Sequence, residues 1–168
     1  MSVGPEVDIK AVVEKLKRYS LKISCAESCT GGMFSEFLTD ISGASDVFEL
    51  GVVSYSSRIK HKILKVDEGC LETYGAVSRD TAIQMATHIR ALADSDLGVS
   101  ITGVAGPSEA EGKAVGTVYI ALADTKTVKA QRLNIENIGR KAIRQTACKV
   151  VFALIDTYIE EKYAKNDG

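Results

Sequence analysis

Leu21-Lys22-Ile23-Ser24-Cys25-Ala26-Glu27-Ser28-Cys29-Thr30-Gly31-Gly32-Met33-Phe34 is the stretch on which the fold turns. Its first part, Leu21 to Ala26, is short and apolar, as a buried strand is. Glu27 to Gly32 interrupts it with small and polar residues ending in two glycines. Met33, Phe34, Phe37, Leu38 and Ile41 then recur at helical spacing. Strand, glycine-containing turn and helix in this order are the opening unit of an α/β fold.

The rest of the chain extends that unit. Upstream, Pro5 suits the first turn of a helix whose apolar face is Ile9, Val12, Val13 and Leu16. Downstream, Ser42 to Ser45 closes the helix that follows the glycine turn, and Val47 to Tyr55 reads as a second strand. Ser56 or Ser57 can cap a short helix to Leu64. Ser78 with Asp80 starts another, with Ala82, Ile83, Ala86 and Ile89 on one face. Leu97 to Val104 is a strand ending in Gly103-Val104-Ala105-Gly106-Pro107. Ser108 to Lys113 is a loop. Val115 to Ala123 and Lys126 to Ile135 make a strand hairpin. A long helix from about Gly139 to Tyr163 completes the core, and the polar tail 164–168 is expected to fray. The expected fold is an α/β sandwich around a mixed, mostly parallel sheet of about five strands.

The chain has 168 residues, enough for one domain with its own core, which we place at about 6–163. Hydrophobic residues are 45% and charged residues 26%, values that exclude whole-chain disorder and disulfide-scaffold miniproteins. Twenty-one basic residues against twenty-two acidic ones give a net charge of -1, which argues against a general nucleic-acid binder. No apolar run approaches the ~20 residues of a membrane span, and the first ten residues lack the apolar core of a signal peptide. A cytoplasmic location without membrane contact is expected. The sequence leaves open whether copies associate.

Three loops fall at the C-terminal ends of expected strands, where open α/β sheets place ligands. The first holds Ser28, Cys29, Thr30, Gly31 and Gly32. Helix N–H groups turned toward it would attract a phosphate or stabilise an oxyanion, and a plain capped turn is the alternative. The second holds Tyr55 and Lys60. A lysine serves as a base only if burial or a cationic neighbour lowers its pKa; otherwise it is a surface cation. The third is the turn from Thr102 to Pro107. Arg140 and Arg144, four residues apart, share a helix face and could hold a phosphate or simply face water. The four cysteines lack zinc-site spacing and read as reduced, partly buried thiols, with Cys29 the candidate if one were catalytic. His61 and His88 are too few for a metal cluster and poorly placed for a triad. No metal and no cofactor are expected.

These residues resemble the CinA C-terminal domain family. Ala26 to Gly32 reads as that family's AESCTGG signature. Thr39 to Ser45 is similar to its TDIPGSS segment, and Gly51 to Ser57 with Lys60 to its GFVTYSN-x-x-K stretch. Tyr74 to Ser78, Gly103 to Pro107 and Val115 to Val118 are similar to HGAVS, GIAGP and PVGTV, and Arg140 and Arg144 to GDR-x-x-x-R. The matches keep family order from about residue 10 to 160. The resemblance implies a three-layer α/β/α sandwich in the stand-alone form. It implies hydrolysis of nicotinamide mononucleotide to nicotinate mononucleotide and ammonia by a serine and a lysine, with a pyridine mononucleotide as the partner.

Carried over residue by residue, the resemblance makes Ser28 the nucleophile with Ser45 as its competitor, and Lys60 the base. Tyr55 would assist proton transfer or orient the lysine. Thr30, Gly31, Gly32, Thr102, Gly103 and Gly106 would shape the substrate site, with Arg140 and Arg144 toward the phosphate. The loop Ser108 to Ala114 departs from the family pattern: it is shorter, more acidic and lacks the proline before Val115. It motivates a second hypothesis, a non-catalytic nucleotide-binding or regulatory module. A third, a DNA-associated competence protein, rests on the family's name and conflicts with the balanced charge.

Overall fold

Strands β1 (Ile23–Glu27) and β3 (Leu97–Gly103) are buried almost throughout, because they form the middle of the sheet. The structure, a computed structural model, describes residues 4–166. Its five strands lie in the order β2-β1-β3-β4-β5, with β2 at Phe48–Val53, β4 at Thr117–Ala123 and β5 at Val128–Asn134. The sheet is mixed. β1 runs parallel to both β2 and β3, while β3–β4 and β4–β5 are antiparallel. Two of the four strand pairings are antiparallel: β4–β5, joined by a hairpin, and β3–β4, joined by the loop 104–116.

Side chains alternate between two helical layers, as the strand period requires. Ile23, Cys25, Leu97, Val99, Ile101, Val118, Ile120 and Leu122 face one layer. That layer is α1 (Ile9–Arg18), α2 (Met33–Thr39) and the long α6 (Arg140–Lys162), which supply Val13, Leu16, Phe34, Leu38, Val151, Phe152 and Ile155. The Phe34 and Phe152 rings stack at 4.4 Å.

Around β3 and β4 the opposite face is built from small residues, while Leu64, Val66, Met85 and Ile89 pack nearer β1 and β2. Ala121 and Ala123 meet Ala82 and Ala86 of α5 (Arg79–Ala93), and Ser100 Oγ donates to the Ala82 carbonyl at 2.6 Å. Gly98 makes the close approach feasible: a Cβ there would stand 2.3 Å from the Ala86 carbonyl oxygen. Helix α5 therefore lies deep against the sheet, with α3 (Ser57–Leu64) and α4 (Glu68–Tyr74) beside it. The three layers match the expected α/β/α sandwich.

Local starts and stops follow side-chain chemistry. Ser56 and Ser78 cap α3 and α5, their hydroxyls accepting the N–H of Ile59 and Thr81. Pro5, in contrast, does not open the first helix. Asp8 does, by accepting the Ala11 N–H at 3.1 Å, because a capping carboxylate satisfies an N–H that proline leaves unserved. Strands β2 and β5 are the open edges of the sheet, and β5 is mostly exposed. Among the described residues no helix is long and apolar enough to cross a membrane.

Candidate active site

Strand β1 ends at Glu27, and Ser28 begins a tight turn above the C-terminal end of the sheet. The Ser28 N–H donates to the Ile101 carbonyl on β3, and the Ser28 carbonyl accepts the Gly31 N–H. This pins the serine backbone between two central strands. Ser28 Oγ lies 2.8 Å from Lys60 Nζ. Lys60 stands one turn into α3 and is 1% exposed. Its ammonium also donates to the Ser54 carbonyl at 2.6 Å, and Ser54 is tied to β1 by its N–H bond to the Glu27 carbonyl.

Burial is the main influence on this lysine. It lowers the pKa from 10.5 to about 8, against smaller opposing effects of Cys29 and Glu111. No carboxylate touches the amine among the described residues. A lysine near pKa 8 is partly neutral around pH 7–8 and can accept a proton. The Ser54 carbonyl holds one amine hydrogen, which leaves the lone pair of the neutral form free to face the Ser28 hydroxyl.

The pair opens into a cavity of about 410 Å3, lined also by Val77, Thr102, Gly103, Gly106, Glu111 and Arg140. Thr102, fully buried, donates to the Ala76 carbonyl at 2.8 Å and so fixes one wall. Arg140, at the start of α6, is exposed at the mouth. Its guanidinium donates to the Gly106 carbonyl and, at 3.1 Å, to the Tyr55 hydroxyl. A larger hollow of about 600 Å3 along β5 and α6, lined by Gln131, Ile138 and Thr146 among others, contains neither Ser28 nor Lys60.

Several expected roles change. The N-terminal N–H groups of α2 do not face the pocket as an anion cradle. The Glu27 carboxylate fills that position, accepting the N–H of Phe34 at 2.8 Å and of Ser35 at 3.1 Å and the Ser35 hydroxyl. Thr30 is fully buried, and Thr30, Gly31 and Gly32 lie outside the pocket lining. Arg144 also stands behind the site. It donates to the Cys29 and Thr30 carbonyls at 3.0 and 2.8 Å, and so braces the serine turn.

Tyr55, 62% exposed, bonds Arg140 and neither Lys60 nor Ser28; the Ser54 carbonyl orients the lysine instead. Ser45 is not brought to Lys60. It lies exposed on a short 3-10 turn before β2 and lines a separate hollow with Thr39, Ile41 and Phe48. Cys29 does line the pocket, but burial pushes its thiol up to about 11, opposite to an activated thiolate. The two histidines bond backbone carbonyls of Val66 and Leu64.

Two participants were not evident in the sequence. A backbone carbonyl such as that of Ser54 carries no residue signature. Glu111 arrives from the loop between β3 and β4, and the acidic composition of that loop was the available signal.

A sequence profile of the CinA C-terminal domain matches residues 7–159. The chain belongs to the CinA C-terminal domain family. Relatives named as competence-damage inducible extend the match. One from Oceanobacillus iheyensis is 43% identical over 152 residues, covering 90% of this chain and 36% of its own. One from Caldanaerobacter subterraneus is 41% identical over 160 residues, covering 95% and 39%. The chain thus spans little more than a third of the length of the curated relatives it matches. Among solved structures, a competence/damage inducible protein of Agrobacterium tumefaciens is 36% identical, with a TM-score of 0.79 over 92% of this chain and 99% of that one. A CinA superfamily protein of Klebsiella pneumoniae reaches a TM-score of 0.87 at 26% identity, over the same shares. The open five-stranded α/β sheet is therefore the CinA C-terminal fold.

Proposed function

We propose that this CinA C-terminal domain is a serine–lysine amidohydrolase that converts nicotinamide mononucleotide to nicotinate mononucleotide and ammonia. The observation that carries the reading is the buried 2.8 Å contact between Ser28 Oγ and a lysine whose pKa burial has lowered to about 8. A dehydrated amine held against a hydroxyl is one arrangement that activates a serine as nucleophile. The family resemblance supplies the substrate, and Arg140 at the cavity mouth supplies a cation for its phosphate.

The reaction runs in two halves. Neutral Lys60 takes the Ser28 hydroxyl proton as Oγ attacks the carboxamide carbon. Negative charge gathers on the carbonyl oxygen. A backbone N–H directly after the nucleophile, here that of Cys29, is a donor suited to that oxyanion. Lys60 then passes its proton to the departing nitrogen, the C–N bond breaks, and ammonia leaves an acyl ester on Ser28. Water, deprotonated by Lys60, attacks the ester. Nicotinate mononucleotide departs, and the proton returns to Ser28.

Ammonia and nicotinate mononucleotide produced from nicotinamide mononucleotide by the purified domain test this. The wild type should turn over, and Ser28→Ala should lose about a thousandfold or more in kcat. Wild-type protein that binds the nucleotide without releasing ammonia would establish the non-catalytic module instead.

A further inference from the structure

The loop in which this chain departs from its family carries a carboxylate back into the pocket. Ala110 and Lys113 pair through mutual backbone bonds at 3.2 and 2.9 Å. This leaves Glu111 and Gly112 as the two central residues of a tight turn, at φ +52° and +67°. Such positive-φ turns favour glycine, asparagine and aspartate, so glutamate is a costly choice at the first of the two positions. Its side chain reaches the segment before α5. There the N–H groups of Ala76 and Val77 each donate to one carboxylate oxygen, both at 3.0 Å. Lys113 Nζ lies 3.5 Å away. Gly75, at φ +84°, leaves room for this docking, since a Cβ there would stand 2.4 Å from Glu111 Oε2.

The anchored carboxylate shares the cavity lining with Ser28, Lys60 and Arg140. Its charge reaches the lysine, on which it acts as a modest opposing influence to burial. The cavity therefore presents a cation at its mouth and a fixed anion on a wall. The nicotinamide nucleotide has the matching pattern, with an anionic phosphate and a pyridinium ring of charge +1. Hydrolysis replaces its neutral carboxamide with a carboxylate, so the product brings a new negative charge toward Glu111.

We infer that Glu111 is a specificity-determining residue, which favours a carboxamide borne on a cationic aromatic ring and disfavours the anionic acid that hydrolysis leaves. The inference rests on the amidohydrolase reading above and deepens it by naming the ring charge as the recognised feature. The carboxylate side chain is 34% exposed, so solvent weakens its field. A contrast of about five- to tenfold in affinity is expected for one unit of ring charge at such a site.

The test is equilibrium binding to Ser28→Ala protein, with and without Glu111→Gln. Three ligands are used: nicotinamide mononucleotide, its reduced dihydro form with a neutral ring, and nicotinate mononucleotide. Glu111→Gln should weaken the cationic-ring nucleotide about five- to tenfold, leave the reduced form within about twofold, and tighten the acid. Rising salt should shrink the cationic-to-neutral preference in the Glu111 protein and leave it flat in the glutamine variant, a response that a merely structural role for the turn does not give. The thermal midpoint of the Glu111→Gln protein, whose carboxamide oxygen can still accept a backbone N–H of Ala76 or Val77, checks that the loop keeps its fold. Equal shifts for all three ligands, no shift for any, or no binding of the cationic nucleotide overturns the inference. Failure of the amidohydrolase reading is separate, since it shows as absent ammonia release by the wild type whatever the affinities.

Discussion

Lys60 and Lys162 carry the same side chain at opposite ends of one sheet, and their surroundings tune them in opposite directions. Lys60 sits above the ends of β1 and β3, 1% exposed, against a hydroxyl and a carbonyl. Burial there lowers its pKa. Lys162 sits at the far end, where β4 turns into β5. Its Nζ meets Asp124 Oδ2 at 2.5 Å and the Tyr158 hydroxyl at 2.8 Å, and these bonds raise its pKa. Burial alone would raise the Asp124 carboxyl. The bonds from Lys162, Tyr158 and the turn N–H groups of Lys126 and Thr127 outweigh it and hold the carboxyl well below the usual carboxylate range. One lysine is buried without a counter-ion, and its pKa falls toward the range a general base needs. The other has a counter-ion and becomes a staple for a hairpin. Burial, not the presence of charge, separates chemistry from architecture here.

The sharpest way to break this comparison is to remove both amines in turn. Lys60→Met should cost about a thousandfold in turnover of nicotinamide mononucleotide. Its thermal midpoint should hold or rise, because a buried amine without a carboxylate partner is replaced by an apolar chain. Lys162→Met should leave kcat within about twofold. Comparable kcat losses in the two variants would show that the contrast does not govern catalysis.

The second test concerns the staple. Asp124→Ala should reduce stability by about 2 kcal/mol in chemical denaturation, since it strands the Tyr158 hydroxyl and two turn N–H groups. Activity at low denaturant should be kept. A collapse of kcat/KM with unchanged stability would tie the far end of the sheet to the chemistry.

The third test reads the lowered lysine directly. Rate should climb with pH through about 8 as Lys60 loses its proton, then level off. Stability should carry the same signature. The folded-state pKa of Lys60, about 8, lies below the ordinary value of 10.5. Between those values the unfolded chain binds more protons, so stability contributed by this group rises with pH across that window and is lowest below it. Wild type should therefore gain up to about 3 kcal/mol on Lys60→Met between pH 8 and 10.5. A difference that stays constant across the window would show that Lys60 titrates normally.

The smallest effect belongs to the pocket mouth. Arg140→Ala should raise KM for the nucleotide about tenfold and change kcat little, because the phosphate is remote from the reacting carbon. The corresponding nucleoside should be nearly unaffected. Equal losses for both substrates would place Arg140 as a brace of Tyr55 and Gly106 rather than a phosphate ligand.

Much of this organisation is legible in the residues. The apolar runs ending at Glu27 and Gly103 identify the central strands, and Ser56 and Ser78 cap the helices where capping chemistry places them. The pairing of Ser28 with Lys60 comes from the family resemblance; the residues alone leave Lys60 as either a base or a surface cation. Helix α4 leaves little trace in the sequence. Its seven residues offer little apolar period, although Asp67 caps it and Gly75 ends it. The glycine turn could be either an anion cradle or a plain capped turn, because the sequence shows N–H groups but not their acceptors; Glu27, one residue before Ser28, takes them. The family resemblance sets Tyr55 beside the lysine, to assist proton transfer or orient it. In space its hydroxyl bonds a guanidinium 85 residues away, a pairing that local spacing does not encode.

The open edges of the sheet have a consequence for handling the protein. Among the described residues β5 pairs on one side only, and such an edge is the usual template on which a second chain adds a strand. Its sequence sets Arg132 on that strand and Lys126 in the preceding turn, while Lys129 is held by Glu161 at 3.1 Å. A strand arriving in a like register from another copy would bring cations against cations. Concentrated solutions should therefore resist edge-to-edge aggregation at low ionic strength and lose part of that protection as salt screens the repulsion.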